Sequence, residues 1–264
     1  MRELERPPDT PAAPVAGPVA SLAIIGRGRL GTALATALRD PASSGSELRI
    51  SDPLGRDHDL TDFDAVLLCV PDAAIEAAAA SVPSGRLVGH CSGASGLGLL
   101  APHEAFSLHP LMTVPAGAGR ERFVGAGAAI AGSTPAALDF ARRLAEALQM
   151  HSFELAEEDR TAYHAAASIA SNFLVTLEAA AERLAAGTGA GREVLVPLVR
   201  ATVENWADLG PERALTGPIV RGDERTVTAQ RDAVAARTPE LLSMFDSLVE
   251  LTRILVSPTR AARA

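Results

Sequence analysis

Lysine is absent from this sequence. All 24 basic side chains among its 264 residues are arginine, which excludes a lysine Schiff base and a P-loop lysine. Cysteine is scarce. Cys69 and Cys91 are the only two, and both fall in or beside stretches expected to be buried strands, pointing to reduced thiols and a cytoplasmic protein. Neither they nor the six histidines have metal-ligand spacing, so no metal is expected. No run of about 18 or more uncharged apolar residues is present to span a membrane. Residues 1–19 carry proline, alanine and charge without an apolar signal core and are expected to be a mobile leader, not a targeting peptide. The net charge of −8 argues against a general nucleic-acid binder, leaving a small molecule as the expected partner.

What the chain does have is a dinucleotide-binding fingerprint. Residues 22–25 are an apolar run of the kind that forms a buried parallel strand. They lead directly into Gly26-x-Gly28-x-x-Gly31, and residues 30–38 have the pattern of a helix. In that context Gly26 permits the tight turn, Gly28 lets backbone approach a pyrophosphate and Gly31 lets the helix pack on the strand. The helix start offers N–H groups and partial positive charge to the phosphates. Gly26, Arg27, Gly28, Arg29, Leu30 and Gly31 are therefore candidate cofactor residues.

A second strand is expected over 47–51, ending at Asp52. That residue lies about 20 positions past Gly31, where an acid holds an adenosine ribose and favours NAD. Arg27, Arg29 and Arg56 could instead meet the 2′-phosphate of NADP. The expected strand at 64–70 ends at Val70 and Pro71. The one at 86–90 ends at His90 and empties into Cys91-Ser-Gly-Ala-Ser-Gly96. Ligands bind at this carboxyl edge in open α/β sheets, which adds Val70, Pro71 and Ser92 to the cofactor candidates. His90 is either a site residue or a strand cap. Strands over 126–131 and 152–155 flank a helix opened by Thr134-Pro135.

Beyond residue 156 the strand pattern stops. Helices are expected over 157–186, 193–209, 223–236 and 239–256. The fold class is thus α/β: a Rossmann-type, mostly parallel doubly wound sheet at 20–156, then an all-helical domain at 157–264. The helix over 157–186 is apolar along its middle and is expected to be largely buried. At the α-helical angle His164, Ser168, Ser171 and Asn172 share one face, as either a hydrogen-bond network or a ligand-facing stripe. Arg221 could hold a substrate carboxylate or an inter-subunit partner. Trp206 and the methionines are expected in the core.

The motifs His90-Cys-Ser-Gly-Ala94, Leu108-His-Pro-Leu111, Tyr163-His-Ala-Ala-Ala167, Ala170-Ser-Asn172 and Leu215-Thr-Gly-Pro218 resemble the 6-phosphogluconate dehydrogenase-like superfamily. Within it they are most similar to an uncharacterised branch whose helical domain has no assigned function. The resemblance covers about residues 21–256 and implies NAD or NADP as cofactor, a small-molecule substrate and a helical domain that dimerises. In hydroxyacid dehydrogenases of that superfamily the long helix carries a catalytic lysine followed by paired asparagines. Here Ser168 stands where the lysine would be, Ser171 replaces the first asparagine and Asn172 matches the second. The resemblance therefore makes His164 the substitute proton carrier, with Ser168 and Asn172 orienting the reacting group. His109-Pro110 is similar to a segment near the substrate of prephenate dehydrogenases, so His109 is the other catalytic candidate. Two classes of function stay open: an NAD(P)-dependent oxidoreductase acting on a C=O, C–OH or C=N carbon, and a non-catalytic dinucleotide sensor on the same fold.

Overall fold

The computed structural model describes residues 19–40, 48–55 and 58–261, so all but one residue of the expected leader, and Arg56, lie outside the described residues. The chain divides into two compact units, Met1–Ile169 and Ala170–Ala264.

The first unit begins β1 (Ser21–Ile25), α1 (Arg29–Arg39), β2 (Arg49–Leu54), β3 (Ala65–Leu68), α2 (Ile75–Ala80) and β4 (Leu87–His90). It continues with β5 (Glu104–Leu111), β6 (Gly127–Gly132), α3 (Pro135–Ala147), β7 (His151–Glu154) and α4 (Arg160–Ser168). The seven strands form one sheet in the order β2-β1-β3-β4-β5-β6-β7. The first five are mutually parallel; β6 runs antiparallel to β5, and β7 parallel to β6. This is the expected mostly parallel Rossmann-type sheet. The chain moves outward from β1 to β2 and then back across to β3. The order therefore reverses at β1, which places the ligand crevice beyond the carboxyl ends of β1 and β3.

Apolar burial on both faces explains the strand composition. Leu22, Ile24, Ala65, Leu67, Phe106, Leu108 and Ile130 belong to one buried cluster. Ala23, Val66, Leu68 and Val88, which alternate with them along the strands, belong to the other. Successive side chains point to opposite faces, so a strand covered on both sides reads as a continuous apolar run. α1 buries Ala33, Leu34, Ala37 and Leu38, the helical spacing of one face. Each fully buried leucine contributes roughly 1.5–3 kcal/mol. Thr134 caps α3 by accepting the Ala137 amide at 3.1 Å, with Pro135 at the first helical position.

Three expectations change. β2 runs on through Asp52 and Pro53 to Leu54, so Asp52 is a strand residue and not the end of the strand. Proline is tolerated there because β2 is the sheet's edge strand. The single helix expected over 157–186 is interrupted: α4 ends at Ser168, a π turn spans Ile169–Phe173, and α5 covers Leu174–Ala185. The π turn breaks the 3.6-residue period, so the constant angle assumed for a stripe from His164 to Asn172 does not hold across Ile169–Phe173. Nor is this stretch largely buried. Arg160 and Ala180 are the buried residues of α4 and α5, while Ile169, Phe173 and Val175 are more than half exposed.

The second unit contains α5, α6 (Arg192–Leu209), α7 (Pro211–Ala214), α8 (Pro218–Arg221), α9 (Glu224–Arg237) and α10 (Leu242–Ala261). α7 and α8 are short turns of helix, each opened by glycine then proline. α5, α9 and α10 meet around Leu177, Ala181, Val234, Met244 and Phe245. α6 is different, because none of its 18 residues is buried. Trp206, expected in the core, is 58% exposed. Met150 is buried and Met112 packs against the first core. Among the described residues no helix is long and apolar enough to cross a membrane.

Candidate functional site

The glycine turn is built by close backbone approach. Gly26 has φ +129, and a Cβ there would overlap the Cys69 carbonyl; a Cβ on Gly31 would overlap the Gly26 carbonyl. Both positions need glycine for the fold. Gly28 does not: its φ is −74 and a Cβ would meet nothing within 4 Å. Gly28 is the N-cap of α1 and supplies no side-chain cap, so the helix start presents bare backbone donors to the crevice.

Beside this turn lies a cleft of about 560 Å³ at the carboxyl ends of β1, β2 and β3. Ile25, Gly55, His58, Val70, Pro71 and Ala74 are among its walls. Arg27 leans across the end of β2. Its Nε donates to the Pro53 carbonyl at 3.4 Å, its Nη2 approaches His58 Nε2 at 3.4 Å, and the guanidinium carbon sits over Gly55. Asp52, 79% exposed, is engaged in an ion pair by Arg39. Arg29 is exposed, whereas Leu30 packs against the core.

A second polar cluster occupies the edge beyond β4 and β5. His90 is fully buried and organises the loop that follows it. Its Nδ1 accepts the Ser92 amide at 3.2 Å, so Nε2 carries the proton and donates to the Gly96 carbonyl at 3.3 Å. Burial lowers the His90 pKa against the opposing pull of the Gly96 bond, consistent with a neutral ring. Ser92 Oγ donates to Asp72 Oδ2 at 2.9 Å and accepts the amides of Ala94 and Ser95. His90 and Ser92 thus hold the small-residue loop in shape.

That loop lies on His109: a Cβ on Gly93 would come within 2.9 Å of the imidazole. His109 Nδ1 is 2.6 Å from the Tyr163 hydroxyl, and its ring centroid is 6.5 Å from that of His164. Burial, reinforced by His164, pushes the His109 pKa down to about 4. Burial pushes Tyr163 up to about 12, against the opposing Arg160 charge. Both members of the pair are uncharged at neutral pH. Arg160, only 2% exposed, anchors the cluster by donating to Ser107 Oγ at 2.9 Å and Glu157 Oε2 at 3.1 Å.

The structure thus brings His109 and His164 together in the first unit. Ser168 lies one turn further along α4, and Asn172 falls in the second unit, within the π turn. Arg221 is an exposed residue at the end of α8. Tyr163 and Arg160 escaped the functional reading of the sequence. Tyr163 is 54 residues from His109, and Arg160 follows an acidic run that reads as solvated surface. The single tyrosine of the chain, beside His164, was the available signal. Among the described residues no group of three or more His, Cys, Asp or Glu could hold a metal ion.

Comparison with solved structures places this architecture among Rossmann-type proteins with a helical C-terminal part. The chain is similar to protein TM1727 from Thermotoga maritima, with 24% identity and a TM-score of 0.73, covering 90% of this chain and 99% of that one. It is similar to 1-pyrroline-5-carboxylate reductase from Streptococcus pyogenes, with 16% identity and a TM-score of 0.59, covering 88% and 98%. It is also similar to a reductive aminase from Aspergillus terreus solved with NADPH and ethyl-5-oxohexanoate, with 18% identity and a TM-score of 0.58, covering 88% and 93%. At sequence level, residues 127–252 match a domain family of unknown function, DUF2520. No curated protein matches the sequence.

The lowered histidine values predict the pH limb of stability. In the unfolded chain His109 takes up a proton near its ordinary 6.5; in the native state it does so near 4. The unfolded state therefore binds more protons over that window, and stability is lost as pH falls through it. Thermal melts should show Tm dropping between pH 7 and pH 5, and His109→Gln should make that drop shallower. An equal slope in the variant assigns the limb to other groups.

Proposed function

We propose that this protein is an NAD(P)-dependent oxidoreductase on the 6-phosphogluconate dehydrogenase-like plan. It would pass a hydride between the nicotinamide and the carbon of a small C=O, C–OH or C=N substrate. In this reading residues 20–156 hold the dinucleotide and residues 157–264 serve substrate and dimer contact. One observation carries it. Of the three glycines in the turn, the fold requires Gly26 and Gly31, whereas Gly28 stands bare and unobstructed at the start of an 11-residue helix. A residue that the fold leaves free, at the sheet's reversal point, fits a pyrophosphate. The names of the structural neighbours, a 1-pyrroline-5-carboxylate reductase and a reductive aminase solved with NADPH, support the same class.

Residues 26–31 hold the pyrophosphate in this reading. Val70 and Pro71 line the adenosine cleft, and Ser92 shapes its neighbouring loop. Asp52 is committed to Arg39, while Arg27 reaches over Gly55 toward His58. That geometry weights the choice toward NADP, reversing the preference that Asp52 alone suggests. Titration with both reduced cofactors tests it. NADPH should bind at least about tenfold tighter than NADH, and Arg27→Ala should cancel most of the difference. Gly28→Val should abolish binding of both in a protein that still melts cooperatively; retained affinity there would overturn the site.

The nicotinamide supplies or takes up the hydride when bound. The chain's own groups move the proton. His164 is exposed and can reach a substrate, with the neutral His109–Tyr163 pair behind it. Ser168, one turn along α4 from His164, orients the reacting group. General acid–base catalysis provides about 10²–10⁴-fold. His164→Ala should lower NADPH oxidation by that factor against whichever of a panel of keto acids, aldehydes and imines is turned over, with cofactor affinity unchanged. Normal turnover in that variant transfers the role to His109. The lysine replaced by Ser168 favours one other reading, a dinucleotide sensor without chemistry. Tight NADPH binding with no oxidation by any panel member would establish it.

We further propose a homodimer through the helical unit. Val194, Leu198, Val203, Trp206 and Leu209 leave α6 with an apolar surface, joined by Leu251 and Ile254 of α10, all at least 41% exposed. An apolar surface of this extent marks an interface, and the resemblance implies that the occupant is a second copy. Light scattering at micromolar concentration should give twice the chain mass, reduced toward the monomer by Leu198→Glu. A monomeric wild type would overturn it.

A further inference from the structure

The two cysteines, 22 positions apart in sequence, stand at matching ends of adjacent parallel strands. Leu68 of β3 pairs with His90 of β4, so the residues that follow, Cys69 and Cys91, face one another. Their sulfurs are 3.7 Å apart and both thiols are free. A disulfide needs about 2.05 Å, so closure requires the two sulfurs to approach by less than about 2 Å.

What makes this pair consequential is its position beneath the glycine turn. The Cys69 amide donates to the Ile25 carbonyl at 2.7 Å, tying it to the last residue before Gly26. Its carbonyl fills the space where a Gly26 side chain would stand. Its Cβ lies 3.2 Å from the ideal Cβ positions of both Gly26 and Gly31. Any movement of Cys69 toward Cys91 is therefore felt by the backbone that would carry the pyrophosphate.

We propose that Cys69 and Cys91 form a reversible disulfide under peroxide, and that this bond distorts the glycine turn and weakens dinucleotide binding. The binding half rests on the nucleotide reading above. The order of events follows from burial. Cys69 is partly accessible, whereas Cys91 is buried and belongs to the core. Hydrogen peroxide oxidises Cys69: an S–O bond forms, the O–O bond breaks and one water is released. The Cys91 sulfur then attacks Cys69 Sγ. The S–S bond forms as the S–O bond breaks, and the departing hydroxide takes the Cys91 proton as a second water. The hydrogen bond between the two thiols, together with burial, raises the Cys91 pKa well above its ordinary value, which leaves Cys69 as the residue that meets the oxidant first.

The experiment treats the full-length protein with stoichiometric hydrogen peroxide, then measures intact mass, free thiols and NADPH affinity, before and after dithiothreitol. The expected result is a mass lower by two hydrogens, loss of both free thiols and about tenfold weaker NADPH binding, all reversed by dithiothreitol. Cys69→Ser and Cys91→Ser should each lose the peroxide response in affinity. Where Cys91→Ser fails to fold, Cys69→Ser and the wild-type mass carry the comparison. Oxygen addition without thiol loss, or an unchanged mass, overturns the disulfide. A disulfide with unchanged NADPH affinity overturns the switch. A reduced protein that fails to bind NADPH overturns the nucleotide reading and the switch with it, while the mass alone still decides the disulfide.

Discussion

The packing of Gly26, Gly31 and Cys69 is the constraint on which the rest of the first unit depends. β1 and β3 are neighbours, and α1 must leave β1 across the end of β3. The chain achieves this only because two residues have no side chain where a carbonyl passes. The same crowding fixes the start of α1, and with it the direction in which its unpaired amides point. It also places Cys69 directly under the turn. Structural necessity and ligand access are thus separated residue by residue within six positions: the outer two glycines serve the fold, and the middle one is open.

The polar cluster beyond β4 and β5 shows a different economy. Burying a polar group is costly unless it is hydrogen-bonded, and here each group has its own partner. Arg160 is joined to Ser107 and Glu157, His90 to the loop backbone, Ser92 to Asp72, and His109 to Tyr163. Burial lowers the pKa of both His90 and His109, and the nearby Arg160 charge adds a smaller push in the same direction. The pair His109–Tyr163 is therefore held uncharged and well positioned, while His164 remains at the surface beside it.

The helical unit is organised by what it leaves uncovered. α5, α9 and α10 make an apolar seam, but α6 buries nothing of its own. Helix propensity alone gives marginal stability to a segment of this length, and this 18-residue helix keeps a Trp and several aliphatic side chains exposed. A sequence profile cannot separate that case from a core helix, because apolar periodicity reports that a face is covered and not by which chain.

The sequence by itself determined the sheet, the glycine turn and the change from strands to helices, since these depend on local alternation and on glycine geometry within a few residues. It also brought His109 and His164 forward as candidates. Only the tertiary structure decided their company. It paired His109 with Tyr163, buried Arg160 against Ser107, tied Asp52 to Arg39 and set Cys69 against Cys91. Each of these contacts joins residues from different elements, and no periodicity encodes the distance between elements. The π turn at Ile169–Phe173 shows the same limit within one stretch. A polar stripe read at a constant angle assumes an unbroken helix, and a change in hydrogen-bond register between Ser168 and Asn172 removes that assumption.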